Sequence, residues 1–171
     1  MTEAGLRIAL HLTARITFAF FVCAFTGNAL RDLAPARFSL WLSRNRDWFL
    51  VTMAASHTFH LAAIIAFFQV VGWSKLHLVT LLGGGLVYLL IYALAAAAIR
   101  RLRDGHGFLA GSLRLEAAAL YLIWLIFALA FVPRIVSGWP VYSFLAVAAL
   151  AALVIRMACL VRHKGSLAAA A

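Results

Sequence analysis

The chain has 171 residues, of which 66% are apolar, 13% aromatic and 12% charged; an ordinary soluble domain is about half apolar and a quarter charged. A soluble fold of this size cannot hide so much apolar surface, which excludes a cytosolic enzyme, a nucleic-acid module and a disordered tail. The net charge of +10 is spread between apolar runs rather than gathered on one basic surface, so it orients a protein in a bilayer and does not indicate nucleic acid.

A bilayer core takes roughly 20 apolar helical residues, and five stretches meet that requirement. The first is Ile8 to Leu30, interrupted by His11 and Arg15. Its start has no basic cluster ahead of a clean apolar run, so it does not read as a signal peptide. The second is Trp48 to Val71 and holds Ser56-His57-Thr58-Phe59-His60. The third is Leu76 to Ile99 and holds Gly83-Gly84-Gly85. The fourth is Glu116 to Val132, and the fifth Val141 to Val161. No alternating barrel pattern occurs and lipid tolerates no unpaired backbone, so each stretch is expected to be a helix. The expected architecture is an all-α polytopic membrane bundle of five transmembrane helices. The low-complexity end, residues 166–171, is expected to be a disordered tail.

The connections divide the charge unevenly. Arg31, Arg37, Arg44 and Arg46 follow the first span, Arg100, Arg101, Arg103 and Arg114 the third, and Arg162 and Lys164 the fifth. With five spans these ten fall on one side, against Arg7, Lys75 and Arg134 on the other. The positive-inside bias then puts the N-terminus outside and the C-terminus in the cytoplasm. Trp73, Trp139 and Tyr142 mark the outer ends of spans, and Trp41 and Trp48 the inner side, as an aromatic belt does. The lipid bilayer is the first partner, and the short loops confine any chemistry to the membrane or its surfaces.

His57 and His60 are three residues apart, so they share a helical face. Counting from Trp48 at about 1.5 Å per residue puts His60 about 18 Å into the span, near the midplane. Ionisable groups there are costly and face the bundle interior. Three functional readings suit them: haem-iron ligation, a transition-metal site or a proton relay. Hydrogen bonding of neutral imidazoles to neighbouring helices is the structural reading. Arg15 cannot shed its charge, so it either compensates a buried carboxylate or cofactor propionate, or snorkels outward from a span that starts later. The glycine run around Gly84 lets a helix or a flat ring approach closely. His11 and His77 fall near the outer surface, His106 and His163 near the inner one. His11 is expected roughly 10 Å from the depth of His60. Cys23 and Cys159 lie inside apolar runs as small apolar side chains.

Several segments together resemble the ferric reductase-like transmembrane domain family, over about Ala14 to Met157. They are Arg15, the basic turn Trp41-Leu42-Ser43-Arg44-Asn45-Arg46, Ser56-His57-Thr58-Phe59-His60-Leu61, Gly83 to Gly85, and Leu113-Arg114-Leu115-Glu116 leading into Tyr121-Leu122-Ile123-Trp124-Leu125-Ile126-Phe127. The resemblance implies one such domain over residues 1–165, in a bacterial inner membrane. It implies haem b held by histidines of facing helices and electron transfer from a redox partner. His60 matches a ligand position, with His57 beside it. Arg15 would offset charge and Gly84 admit the porphyrin. Glu116 stands where the family has the facing histidine, and a further family ligand would fall near Leu129. The resemblance then implies iron held by His60 or His57 alone, or haem shared with another chain, either a redox subunit or a second copy. A cofactor-free assembly subunit and a small transporter or proton conductor using His57 and His60 are the other two functions compatible with these residues.

Overall fold

The computed structural model describes residues 2–75, 78–104, 110–136 and 140–169. The described residues are almost all helical, in the order α1 (Glu3–Leu33), α2 (Arg37–Arg44), α3 (Arg46–Val71), α4 (Leu78–Asp104), α5 (Ala110–Phe131) and α6 (Pro140–Ala169). Short 3-10 turns occupy Trp73–Lys75 and Val132–Ile135. Five helices, all but α2, are long and apolar enough to cross a membrane. The expected spans coincide with them, but the helices overrun the apolar stretches, because helical hydrogen bonding continues through polar ends that lipid does not cover. Leu76, His77, His106 and Trp139 lie outside the described residues.

Helix ends follow local chemistry. Pro35 disfavours helix at the residue before it, and α1 stops at Leu33. Gly72 closes α3 with a left-handed φ of +92°, its N–H bonded to the Phe68 carbonyl at 2.9 Å. That conformation is strained for any residue with a Cβ.

The helix α2 was not expected. Its eight residues bury Ser39 and Leu42 and expose Phe38 and Trp41, with Arg37 and Arg44 at the two ends. The run is too short and polar to register as a span. Exposed aromatics between arginines suit a helix lying along a membrane surface.

The chain forms two compact units. One comprises Met1–Phe21 with Asp47–Ala119, the other Val22–Arg46 with Leu120–Ala171. In the first, α1 and α3 run antiparallel, with Arg7 over the Phe67 ring, Thr13 bonded to His60, and Thr17 bonded to Ser56. Residue numbers in these three pairs sum to nearly the same value, as one fixed antiparallel register requires. The helices α3 and α4 are likewise antiparallel, through Thr58–Tyr92 and Asp47–Arg101.

Arg101 clamps three helices in this unit. It meets Asp47 through Nε (2.9 Å) and Nη2 (2.6 Å), and Glu116 through Nη1 (2.8 Å). The three side chains are only 16%, 22% and 9% exposed. In the second unit, Trp124 donates to the Ala149 carbonyl at 2.8 Å, tying α5 to α6. The Arg156 guanidinium lies 4.8 Å from the centre of the Phe25 ring and 5.1 Å from that of Tyr121, and donates to the Phe25 carbonyl. Aromatic faces and a carbonyl dipole thus hold this cation.

Removing the guanidinium with Arg101→Met leaves two poorly solvated carboxylates together. Breaking a fully buried pair costs about 3–5 kcal/mol, and partial exposure puts the expected loss at the lower end of that range. Denaturant titration in detergent micelles should show it, and Asp47→Asn with Glu116→Gln in the same background should recover most of it. An unchanged midpoint in Arg101→Met would show that the clamp carries no stability.

Candidate functional site

Inside α3 the chain places four polar side chains within two turns: Ser56, His57, Thr58 and His60. Three of them find hydroxyl partners on neighbouring helices of the same unit. Ser56 Oγ lies 2.9 Å from Thr17 Oγ1, and Thr58 Oγ1 lies 2.8 Å from the Tyr92 hydroxyl. His60 Nδ1 lies 2.8 Å from Thr13 Oγ1.

The last bond couples the tautomer of His60 to the proton of Thr13. A threonine hydroxyl has one proton and two lone pairs. Thr13 Oγ1 donates its proton to the Ala9 carbonyl at 2.7 Å. With its proton there it accepts from His60, Nδ1 carries the imidazole proton and Nε2 is a lone-pair base; with the hydroxyl turned to His60 it donates to Nδ1 instead. A histidine whose one nitrogen is held by an acceptor while the other stays bare is the arrangement found at metal ligands.

His57 is almost wholly buried, at 7% exposure. Its ring stacks 5.3 Å from that of His60 at 24°, and 4.1 Å from Tyr88 at 31°. Tyr88 donates to the His57 carbonyl at 3.3 Å. His57 Nδ1 is buried without a hydrogen-bond partner. Such orphaned atoms are uncommon and call for a physical reason. The two imidazoles leave one helix on the same side with nearly parallel planes. They cannot take opposite faces of one metal–porphyrin plane.

Other expected site residues lie elsewhere. Glu116 belongs to the Arg101 clamp, at the level of Asp47, thirteen residues or about 20 Å along α3 from His60. It therefore does not face His60, and its carboxylate has a structural task. Arg15 is half-buried on α1, but helix geometry at about 100° per residue turns it to the side opposite Thr13 and Thr17. His11, four residues before Arg15, shares that opposite side. The depth expected for His11 needs correction: Thr13 is level with His60, so His11 is only about 3 Å further along the axis. The helix α1 starts at Glu3, well ahead of its apolar stretch, which carries His11 deeper into the span.

The close helix approach expected at Gly84 is not made. A Cβ at Gly83, Gly84 or Gly85 would meet nothing within 4 Å. All three glycines are exposed, on the helix that carries Tyr88 one turn beyond Gly84. The glycine that does mediate contact is Gly27 on α1, where a Cβ would stand 3.2 Å from the Leu42 carbonyl oxygen and 3.3 Å from its carbon. A lone glycine gave less signal than a run of three. Its pairing with α2 was hidden because α2 itself was unexpected. The partners Thr13 and Tyr88 were also missed, since hydroxyls inside apolar runs look like ordinary self-bonded helix residues.

Substitution separates the two glycine positions. Gly84→Ala should stabilise the protein by about 0.5–1 kcal/mol, the helix-propensity gain in open space. Gly27→Ala should destabilise it by about 1 kcal/mol or more, as overpacking against a backbone does. Unfolding midpoints in micelles that move in the reverse order would contradict both assignments. No family model, curated protein or solved structure matches the chain.

Proposed function

We propose that this multi-pass membrane protein is an electron-transfer component that binds haem b through a single axial histidine, His60. The observation that supports this reading is the 2.8 Å contact of His60 Nδ1 with Thr13 Oγ1, whose own proton has the Ala9 carbonyl as acceptor, an arrangement that makes Nε2 a base inside the membrane. The orphaned His57 Nδ1 one turn away adds a second polar group with no partner in the protein. The residues would offer the haem iron one ligand, His60, and not a second from a facing helix. Glu116 is held by Arg101, and Leu129 has no donor atom. Haem, when bound, would supply one-electron redox chemistry. The protein's own part is to hold the imidazole in one tautomer, exclude water and surround the site with apolar side chains. His57 is the second polar group beside the ligand, and Tyr88 packs against it.

The membrane is proposed to be a bacterial inner membrane, with the N-terminus outside and the Arg101 clamp toward the cytoplasm, following the bias of basic residues. Electrons would come from a separate redox subunit. A cofactor-free scaffold is the second reading, and it is favoured by one observation: the family's facing-ligand position, Glu116, is taken up by an ion pair.

Absorption spectra of the intact chain extracted from membranes distinguish the two. The haem reading expects a Soret band and a high-spin, single-histidine spectrum. It expects His60→Ala to abolish the band and His57→Ala only to shift it. Thr13→Val should retain the group and raise its reduction potential, because the imidazole loses the acceptor that makes it more basic. No Soret band in the extracted protein, or a two-histidine low-spin spectrum surviving His60→Ala, would contradict the assignment.

A further inference from the structure

In the second unit, the end of α1 and the end of α6 bring together three side chains of different ligand chemistry. Asp32, Cys159 and His163 each place a donor atom within 4.8 Å of the other two. Cys159 and His163 are four residues apart on α6, so they share one face. The thiol is buried, at 8% residue exposure, whereas the His163 side chain is 63% exposed. The cluster is therefore closed on the helix side and open toward the surface.

The geometry points to a divalent transition-metal site of the zinc class, with Asp32, Cys159 and His163 as ligands and the fourth position open to water. Asp32 Oδ2 and His163 Nε2 stand 3.6 Å apart. That is too long for a hydrogen bond. It matches the spacing of two ligand atoms around a tetrahedral ion with bonds of about 2.0–2.3 Å, which is roughly 3.3–3.7 Å. Thiolate, imidazole and carboxylate together suit a borderline-soft ion and not magnesium or calcium, which take oxygen donors.

The surroundings hold Asp32 by one carboxylate oxygen and leave the other toward His163. Arg31 binds Asp32 through Oδ1, at 2.8 Å from Nε, and leaves Oδ2 turned to His163. Arg31 is itself held by Ser43 at 3.1 Å, and Ser43 donates to Asn28 at 2.8 Å. Arg162 donates to the backbone carbonyls of Asp32 and Leu33 at 3.0 and 3.1 Å. These bonds set the end of α1 against α6 and neutralise helix-terminal carbonyls. Thiolate is the form that binds the ion, so binding releases the Cys159 proton: the ion replaces the thiol hydrogen and that proton passes to solvent.

The test uses the untagged full chain in detergent micelles, with Co2+ as probe and Zn2+ as competitor. A thiolate-to-cobalt charge-transfer band together with tetrahedral ligand-field bands is expected, and Zn2+ should displace both. Cys159→Ser should remove the charge-transfer band, and Cys23→Ser should leave it intact. Asp32→Asn should weaken binding by more than about tenfold, the loss seen even for outer-sphere partners. A second measurement avoids altering the site: in Cys23→Ser protein, Zn2+ should slow alkylation of Cys159. Cobalt bands lacking sulfur character, a band that survives Cys159→Ser, or an alkylation rate indifferent to Zn2+ would each overturn the site. None of these readouts depends on haem.

Discussion

The absence of water from the membrane interior is the constraint on which the structure depends. A polar group there must find its partner in the protein. The hydroxyls of Thr13, Thr17, Thr26, Thr52 and Thr58 each donate to a carbonyl four residues earlier on their own helix. That habit matters beyond satisfaction. Once a threonine has spent its proton on its own backbone, it meets a neighbouring helix only as an acceptor. Thr13 so arranged puts the His60 proton on Nδ1, whereas in the Thr17–Ser56 and Thr58–Tyr92 pairs either hydroxyl can donate. Helix register, side-chain satisfaction and imidazole chemistry follow from the same bookkeeping of protons.

Charged groups obey the same constraint by different means. Arg101 finds two carboxylates from two other helices, and Arg156 finds aromatic faces and a carbonyl. A guanidinium has donors in a rigid fork and a flat weakly hydrated surface, so it suits both solutions. Glu116 shows how this bears on function. Its carboxylate holds α5 to α4. A histidine at that position would leave Arg101 needing another partner.

Much of the framework was legible in the sequence because lipid imposes a simple rule on length and hydropathy. Five apolar stretches correspond to five helices, and the three described tryptophans assigned to span ends, Trp41, Trp48 and Trp73, are more than half exposed. The histidine pair was also legible, since two imidazoles three residues apart inside an apolar run have few ordinary explanations. What the sequence did not show depends on contacts between distant segments. Thr13 is 47 positions from His60, and nothing in its own surroundings distinguishes it from Thr26. Gly27 meets α2 because α2 folds back onto α1, whereas the more conspicuous Gly83–Gly85 run meets nothing. Cys159 read as an apolar side chain because its partners are Asp32, far away in the chain, and His163, assigned to the membrane surface. Its four-residue spacing to His163 was the one local sign of a shared face.

The central claim is that the protein presents His60 to the membrane interior as a base at Nε2, with the proton held at Nδ1 by Thr13. Nitrogen-15 NMR of histidine-labelled protein reconstituted in lipid tests this directly, with His60→Ala used to assign the resonance. The account predicts a neutral His60 ring in the Nδ1–H tautomer, converting to a mixture of tautomers in Thr13→Val. A ring protonated at Nε2, or an imidazolium at neutral pH, would contradict it.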